Sequence, residues 1–146
     1  MAIENMLPVQ RFAASDELLR LIEAVAMPNL GICFDTSHAQ LAQEGIGMAT
    51  RLGSFVVTLH ASDNGGRSDD HLVPGTGVID WEKFFGILSE IRYDPVFMVE
   101  LMHLSPARVL AWTARNVSRM GRGLFPRAFQ DISRDDFSRR ADHIGD

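Results

Sequence analysis

At 146 residues, with 46% apolar and 23% charged content, the chain has the make-up of one ordinary globular domain. A formal net charge of −5 disfavours broad contact with a phosphate backbone, which needs a basic face. No apolar run approaches the roughly 18 residues of a membrane span, so no membrane partner is expected. The single cysteine, Cys33, reads as a small core residue in a reducing compartment. No basic and apolar leader follows Met1, so the expected localisation is cytoplasmic.

In chain order, Ala2-Ile3-Glu4 reads as a short strand running out at an acid. After a loop holding Pro8, Ser15 is the expected N-cap of a helix over residues 16–26, with Leu18, Leu19, Ile22 and Val25 as its apolar stripe. Pro28-Asn29 ends it, and residues 30–34 form a buried strand leading into Asp35-Thr36-Ser37-His38. A second helix is expected over residues 38–52, weakened by Gly45 and Gly47. Residues 55–59 are a third strand, ending at His60. The polar stretch 61–79 is long for a connection inside a domain, and loops of that length are more often functional than idle. Asp80 caps a third helix whose Trp81, Phe84, Phe85, Leu88 and Ile91 share one face. Residues 96–99 are a fourth strand, ending at Glu100. Ser105-Pro106 opens a fourth helix that Gly121 closes. Residues 122–146 carry Phe125, Phe129, Ile132 and Phe137, which favours an accessory helix over a frayed tail.

Strand–helix alternation of this kind gives an α/β fold of parallel strands with right-handed crossovers. Four such units end in Glu4, Asp35, His60 and Glu100. Parallel strands of a barrel present their C-terminal ends at one mouth, where carboxylates and an imidazole make a donor set for a divalent cation. Mixed oxygen and nitrogen donors suit Mn²⁺, Mg²⁺, Co²⁺ or Zn²⁺. Taken singly, each residue has a plainer reading. Asp35 and His38 fit a capped helix start, and His60 fits a half-buried histidine. Asp69 and Asp70 fit turn residues, and Asp63-Asn64-Gly65 fits a turn and nothing more. Arg67 either orients a substrate phosphate or sits in solvent, and Trp81 fits the core. The ordered recurrence at four strand ends outweighs these readings for Glu4, Asp35, His60 and Glu100.

The segments Glu4-Asn5-Met6, Asp35-Thr36-Ser37-His38, His60-Ala61-Ser62-Asp63-Asn64, the stretch from Asp69 to Trp81, and Val99-Glu100 resemble the second half of a xylose-isomerase-like (β/α)8 barrel. The resemblance runs to about residue 115, and the stretch from Asp69 to Trp81 is its most specific part. That superfamily includes sugar isomerases and epimerases and an endonuclease-IV type of repair enzyme. The resemblance implies one divalent metal held by Glu4, Asp35, His60 and Glu100, with Glu4 and Glu100 also serving as catalytic acid and base. It implies that His38 binds substrate oxygens and that Asp69 and His71 match further metal ligands of the endonuclease members. The expected activity is that of a metal-dependent sugar or sugar-phosphate isomerase or epimerase. An endonuclease acting on abasic DNA and an inactive half-barrel are the alternatives, with nucleic acid disfavoured by the charge.

A full barrel of this type has eight strands and about 250 residues. The chain is therefore expected to be a half-barrel over residues 1–121, its strands matching the family's fifth to eighth. Open sheet edges then imply a homodimer or a missing N-terminal half. Closing the barrel is expected to bury Ile32, Phe34 and Val57, or the residues alternating with them, on its inner face.

Overall fold

Parallel strand pairing organises the chain, for which a computed structural model describes residues 1–102. The expected helix opening at Ser105 and the expected tail 122–146 lie outside those residues. Among the described residues one three-stranded sheet has the order β1 (Ala2–Glu4), β2 (Gly31–Asp35), β3 (Val56–His60), both pairings parallel. The helices are α1 (Ser15–Val25), α2 (Thr36–Leu41), α3 (Met48–Leu52) and α4 (Trp81–Glu90). This is part of a TIM barrel, with helices linking parallel strands as the alternation predicts. No described helix is long and apolar enough to cross a membrane.

The fourth strand is reduced to a single parallel bridge between Ala61 and Val99. Two hydrogen bonds make it, Ala61 N–H to the Met98 carbonyl at 2.8 Å and Glu100 N–H to the Ala61 carbonyl at 3.1 Å. Upstream the ladder cannot extend. Pro95 has no N–H, and the Val96 carbonyl accepts from the Tyr93 hydroxyl at 2.9 Å.

The expected single helix over 38–52 is two helices. The chain leaves α2 at Ala42, which is extended, and after a left-handed Gly45 (φ +57) a 3-10 turn (Gly45–Gly47) leads into α3. Helix α2 also starts earlier than expected, because the Asp35 side chain caps it: Oδ1 accepts from His38 N–H at 2.8 Å. Helix α4 begins as expected, with Asp80 accepting from Lys83 N–H at 3.0 Å. Ser15 proves to be the first residue of α1 and not its cap. Its hydroxyl donates to Glu44 Oε2 at 2.6 Å, tying α1 to the segment before α3.

The core lies between sheet and helices. Leu18, Ile32, Phe34, Met48, Leu52, Leu59 and Phe84 are fully buried, and Phe34 stacks on Phe84 at a centroid distance of 5.6 Å. Trp81 is buried too, edge-on to Phe84, as a core-facing residue should be. One expectation fails, and one choice left open is decided. Val25 is exposed at the end of α1. Ile32 and Phe34 are already covered within this chain, so they do not await barrel closure. Side chains alternate along a strand, and the residues facing the other way from Phe34 on β2 are Cys33 and Asp35.

Candidate metal centre at the strand ends

Because β1, β2 and β3 run parallel, Glu4, Asp35 and His60 leave the sheet at the same end. Asp35 pairs directly with His60 in the ladder, and Glu4 pairs with Cys33. The Val99 bridge sets Glu100 beside them. Side chains then converge. Glu4 Oε1 lies 3.4 Å from His60 Nδ1 and 3.4 Å from His38 Nδ1. Glu100 Oε2 lies 3.0 Å from His60 Nδ1. Three overlapping trios bring their donor atoms within 4.8 Å of one another: Glu4, Asp35 and His38; Asp35, His60 and Glu100; Glu4, Cys33 and His60.

The donor chemistry fits a divalent cation. Asp35 is fully buried, and while Oδ1 caps α2, its Oδ2 has no hydrogen-bond partner. A carboxylate oxygen left bare in a protein interior is costly unless a cation meets it. His60 Nδ1 is likewise buried and faces two carboxylates without hydrogen-bond geometry to either. Burial pushes the Asp35 carboxyl up to about 6, with Glu4 and Asp69 adding repulsion against the pull of the His38 backbone bond and ring. Carboxylates crowd the site, and a bound cation relieves that repulsion. Capping and ligation are not rival readings of Asp35, because each takes a different oxygen.

Cys33 forms the floor. Burial pushes its thiol up to about 12, and the negative charges of Glu4, Asp35 and Glu100 act in the same direction. It stays a protonated core residue and not a nucleophile.

His38 joins the centre to the long loop. Its Nδ1 donates to the Asn5 carbonyl at 2.8 Å, and its Nε2 lies 3.2 Å from Asp69 Oδ2. Burial disfavours the imidazolium, but Asp35, the Asn5 carbonyl, Asp69 and Glu4 together outweigh it and raise the pKa. Asp69 Oδ2 also meets His71 Nε2 at 3.0 Å. Burial works to raise the Asp69 carboxyl, yet the Ser37 hydroxyl and the His71 and His38 rings hold it below its usual value. Asp69 Oδ1 and His71 Nδ1 are buried without hydrogen-bond partners, a second pair of bare donors. Arg67 is exposed, on the outer part of the loop.

Sequence reasoning gave no role to Asn5, Asp63 or Asn64. Asn5 is fully buried and clamps the end of β2, its Oδ1 accepting from Asp35 N–H at 2.7 Å and its Nδ2 donating to the Asp35 carbonyl at 3.0 Å. Asn64 Nδ2 donates to the Ser37 carbonyl at 2.9 Å and to its hydroxyl at 2.8 Å, linking loop to helix. The clue for Asn5 was its place directly after Glu4, where a polar residue stands at the strand mouth.

Comparison with known proteins bears on the family and the fold. The profile of the family described as xylose isomerase-like TIM barrel matches residues 1–118. An uncharacterised protein of Methanocaldococcus jannaschii is 34% identical over 95 residues, covering 63% of this chain and 32% of that protein. A protein of Mesomycoplasma hyopneumoniae named Probable endonuclease 4 is 30% identical over 95 residues, covering 56% of this chain and 33% of that one. Among solved structures, a D-tagatose 3-epimerase-like protein superposes with a TM-score of 0.71 at 27% identity, covering 82% of this chain and 45% of its own. A xylose isomerase domain protein from Planctomyces limnophilus superposes with a TM-score of 0.66 at 22% identity, covering 84% of this chain and 45% of its own. The chain thus spans about a third of the curated relatives and under half of these solved chains.

Proposed function

The chain belongs to the xylose isomerase-like TIM-barrel family, and on that premise we propose that it carries the metal centre and proton-transfer groups of a sugar or sugar-phosphate isomerase or epimerase. The observation that carries the proposal is Asp35: a fully buried carboxylate with one oxygen bare, set between His38, His60 and Glu100. The neighbour titled D-tagatose 3-epimerase-like supports the sugar class.

Glu4, Asp35, His60 and Glu100 would hold one divalent cation, Mn²⁺, Mg²⁺, Co²⁺ or Zn²⁺. Such a cation, when bound, polarises a substrate carbonyl and its neighbouring hydroxyl. The protein's own part is proton movement. Glu4 and Glu100 are the more open carboxylates of the cluster, their side chains 30% and 43% exposed, so a substrate can reach them. One takes the proton from the carbon next to the carbonyl and the other returns it. His38 is anchored through Nδ1 on the Asn5 carbonyl, so only its Nε2, now on Asp69, would be available to a substrate oxygen, in exchange for that contact. Asp69 and His71 are candidates for a further metal, and Arg67 for a substrate phosphate.

A second reading rests on Asp69. Its shared contact with His38 and His71, together with the relative named Probable endonuclease 4, favours a metal-dependent nuclease. The net charge of −5 weighs against a duplex DNA partner. The test is interconversion of common ketoses and ketose phosphates by the purified chain with Mn²⁺ or Co²⁺, run beside nicking of abasic duplex DNA. Sugar turnover supports the first reading and nicking the second. Neither activity with metal bound supports an inactive half-barrel.

The sheet also bears on assembly. Among the described residues β1 has a strand neighbour on one side only. We propose that a second copy pairs there, closing a barrel from two halves about a two-fold axis. Light scattering at micromolar concentration is expected to give a dimer, and a well-behaved monomer overturns this arrangement.

A further inference from the structure

The loop over residues 61–79 gathers around one side chain that the chemistry above leaves unused. Asp63 is fully buried three residues beyond His60, and its carboxylate accepts five hydrogen bonds. Oδ1 takes Asn64 N–H at 2.9 Å and Ile79 N–H at 3.1 Å. Oδ2 takes Gly75 N–H at 2.9 Å, Gly77 N–H at 3.0 Å and Trp81 Nε1–H at 2.8 Å. Five donors on one buried carboxylate, with no charged partner among them, is the pattern of an anion bound in a nest of backbone N–H groups. Here the anion belongs to the chain itself.

The same residue fixes the far side of the loop. Its backbone exchanges two hydrogen bonds with Leu72, both at 2.8 Å, in an antiparallel bridge. Leu72 follows His71, whose φ of +47 is strained for a residue with a side chain and needs such support. Asp63 thus grips the loop twice, by main chain beside His71 and by side chain at residues 75–81. Gly77 passes so close that a Cβ there would collide with the Asp63 carboxylate and the Asn64 carbonyl.

We infer that Asp63 is a positioning residue, which sets the His71–Asp69 pair against His38 and so determines the loop side of the centre. The inference deepens the isomerase reading and rests on it for its catalytic consequence, but the placement of His71 is measurable without metal or substrate. Asp63→Asn discriminates well. An amide accepts at one atom only, so whichever way it turns, either two or three of the five donors lose their partner.

The experiment is diethyl pyrocarbonate modification of the full chain without metal, read ring by ring by mass spectrometry, with far-UV circular dichroism as the folding control. In the native chain the His71 side chain is 11% exposed and that of His60 29% exposed, so His71 reacts more slowly. Asp63→Asn is expected to speed modification of His71 by roughly tenfold or more while His60 changes by less than about twofold, as local opening without global unfolding requires. Gly77→Ala, which displaces the carboxylate without altering it, reproduces that selective rise. Trp81→Phe, which removes one donor and keeps the apolar ring, gives a smaller rise at the same ring. If the variants fold and His71 stays protected, or if all the rings speed up together, Asp63 is only a stabilising residue and the inference fails. Should Asp63→Asn and Gly77→Ala not fold, the milder Trp81→Phe decides on the same criterion. A chain that turns over no sugar leaves this result standing, and a failure here leaves the glutamate chemistry untouched.

Discussion

The strand-end cluster and the loop over residues 61–79 meet at His38, yet they are built by different means. Glu4, Asp35 and His60 are placed by backbone: three short parallel strands deliver them to one end of the sheet, with a shift in the β2–β3 register at Ile32–Cys33. Asp69 and His71 lie in a loop held largely by side chains, the Asp63 carboxylate, Asn64 and Asp70 among them, with one antiparallel bridge at Leu72. The first kind of site survives many substitutions around it, because a strand needs only apolar residues of the right period. The second depends on a few irreplaceable groups.

The largest expected effect breaks the strand side. Glu4→Gln and Glu100→Gln each lower isomerase turnover by roughly 10²–10⁴-fold while the circular dichroism spectrum is unchanged, since each loses a proton-transferring group. Steady-state kinetics on the active ketose checks this, and near-native turnover in either variant rejects the two-carboxylate mechanism. A smaller effect separates the regions by stability. Asn5→Ala leaves the buried Asp35 N–H and C=O without their partner and costs about 2 kcal/mol or more in urea unfolding. Ser68→Ala, on the exposed outer loop, leaves the midpoint where it was. The smallest effect is in pH. Asp35 holds its proton more tightly in the fold than in the unfolded chain, its carboxyl raised from 3.8 to about 6. The folded state therefore binds more protons between those values, and without metal this group's contribution to stability falls as pH rises through that window. Added Mn²⁺ should raise the melting temperature at pH 7 and lose most of that gain at pH 5, where the proton competes for the same oxygen.

The contrast between the regions also explains what was legible in the sequence. Each of Glu4, Asp35 and His60 ends an apolar run, so their recurrence at strand ends, together with the family resemblance, picked them out, and the α/β alternation followed from the same runs. Helix α4 was equally plain, because Asp80 and five apolar residues on one face announce it. The helix break was only half visible, since Gly45 and Gly47 weaken a helix without saying that the chain already leaves it at Ala42. The fourth strand misled for a local reason: residues 96–99 look like a strand, but Pro95 and the Tyr93 hydroxyl deny them a ladder. Asp63 was hidden most deeply. Asp-Asn-Gly is a common turn pattern, and nothing local distinguishes a turn aspartate from one gathering donors as far away as Trp81.

Equilibrium titration with Mn²⁺ and Co²⁺, followed by elemental analysis, tests the central claim most directly, because Glu4, Asp35, His60 and Glu100 are proposed to share one cation. The native chain should bind at the strand-end centre. Asp35→Asn keeps an oxygen to cap α2 but loses the anionic oxygen pair, so it should stay folded and lose affinity by more than the roughly 10–100-fold typical of groups that only support a ligand. A native chain that takes up neither ion, or an Asp35→Asn chain that binds as tightly as the native one, would contradict the account.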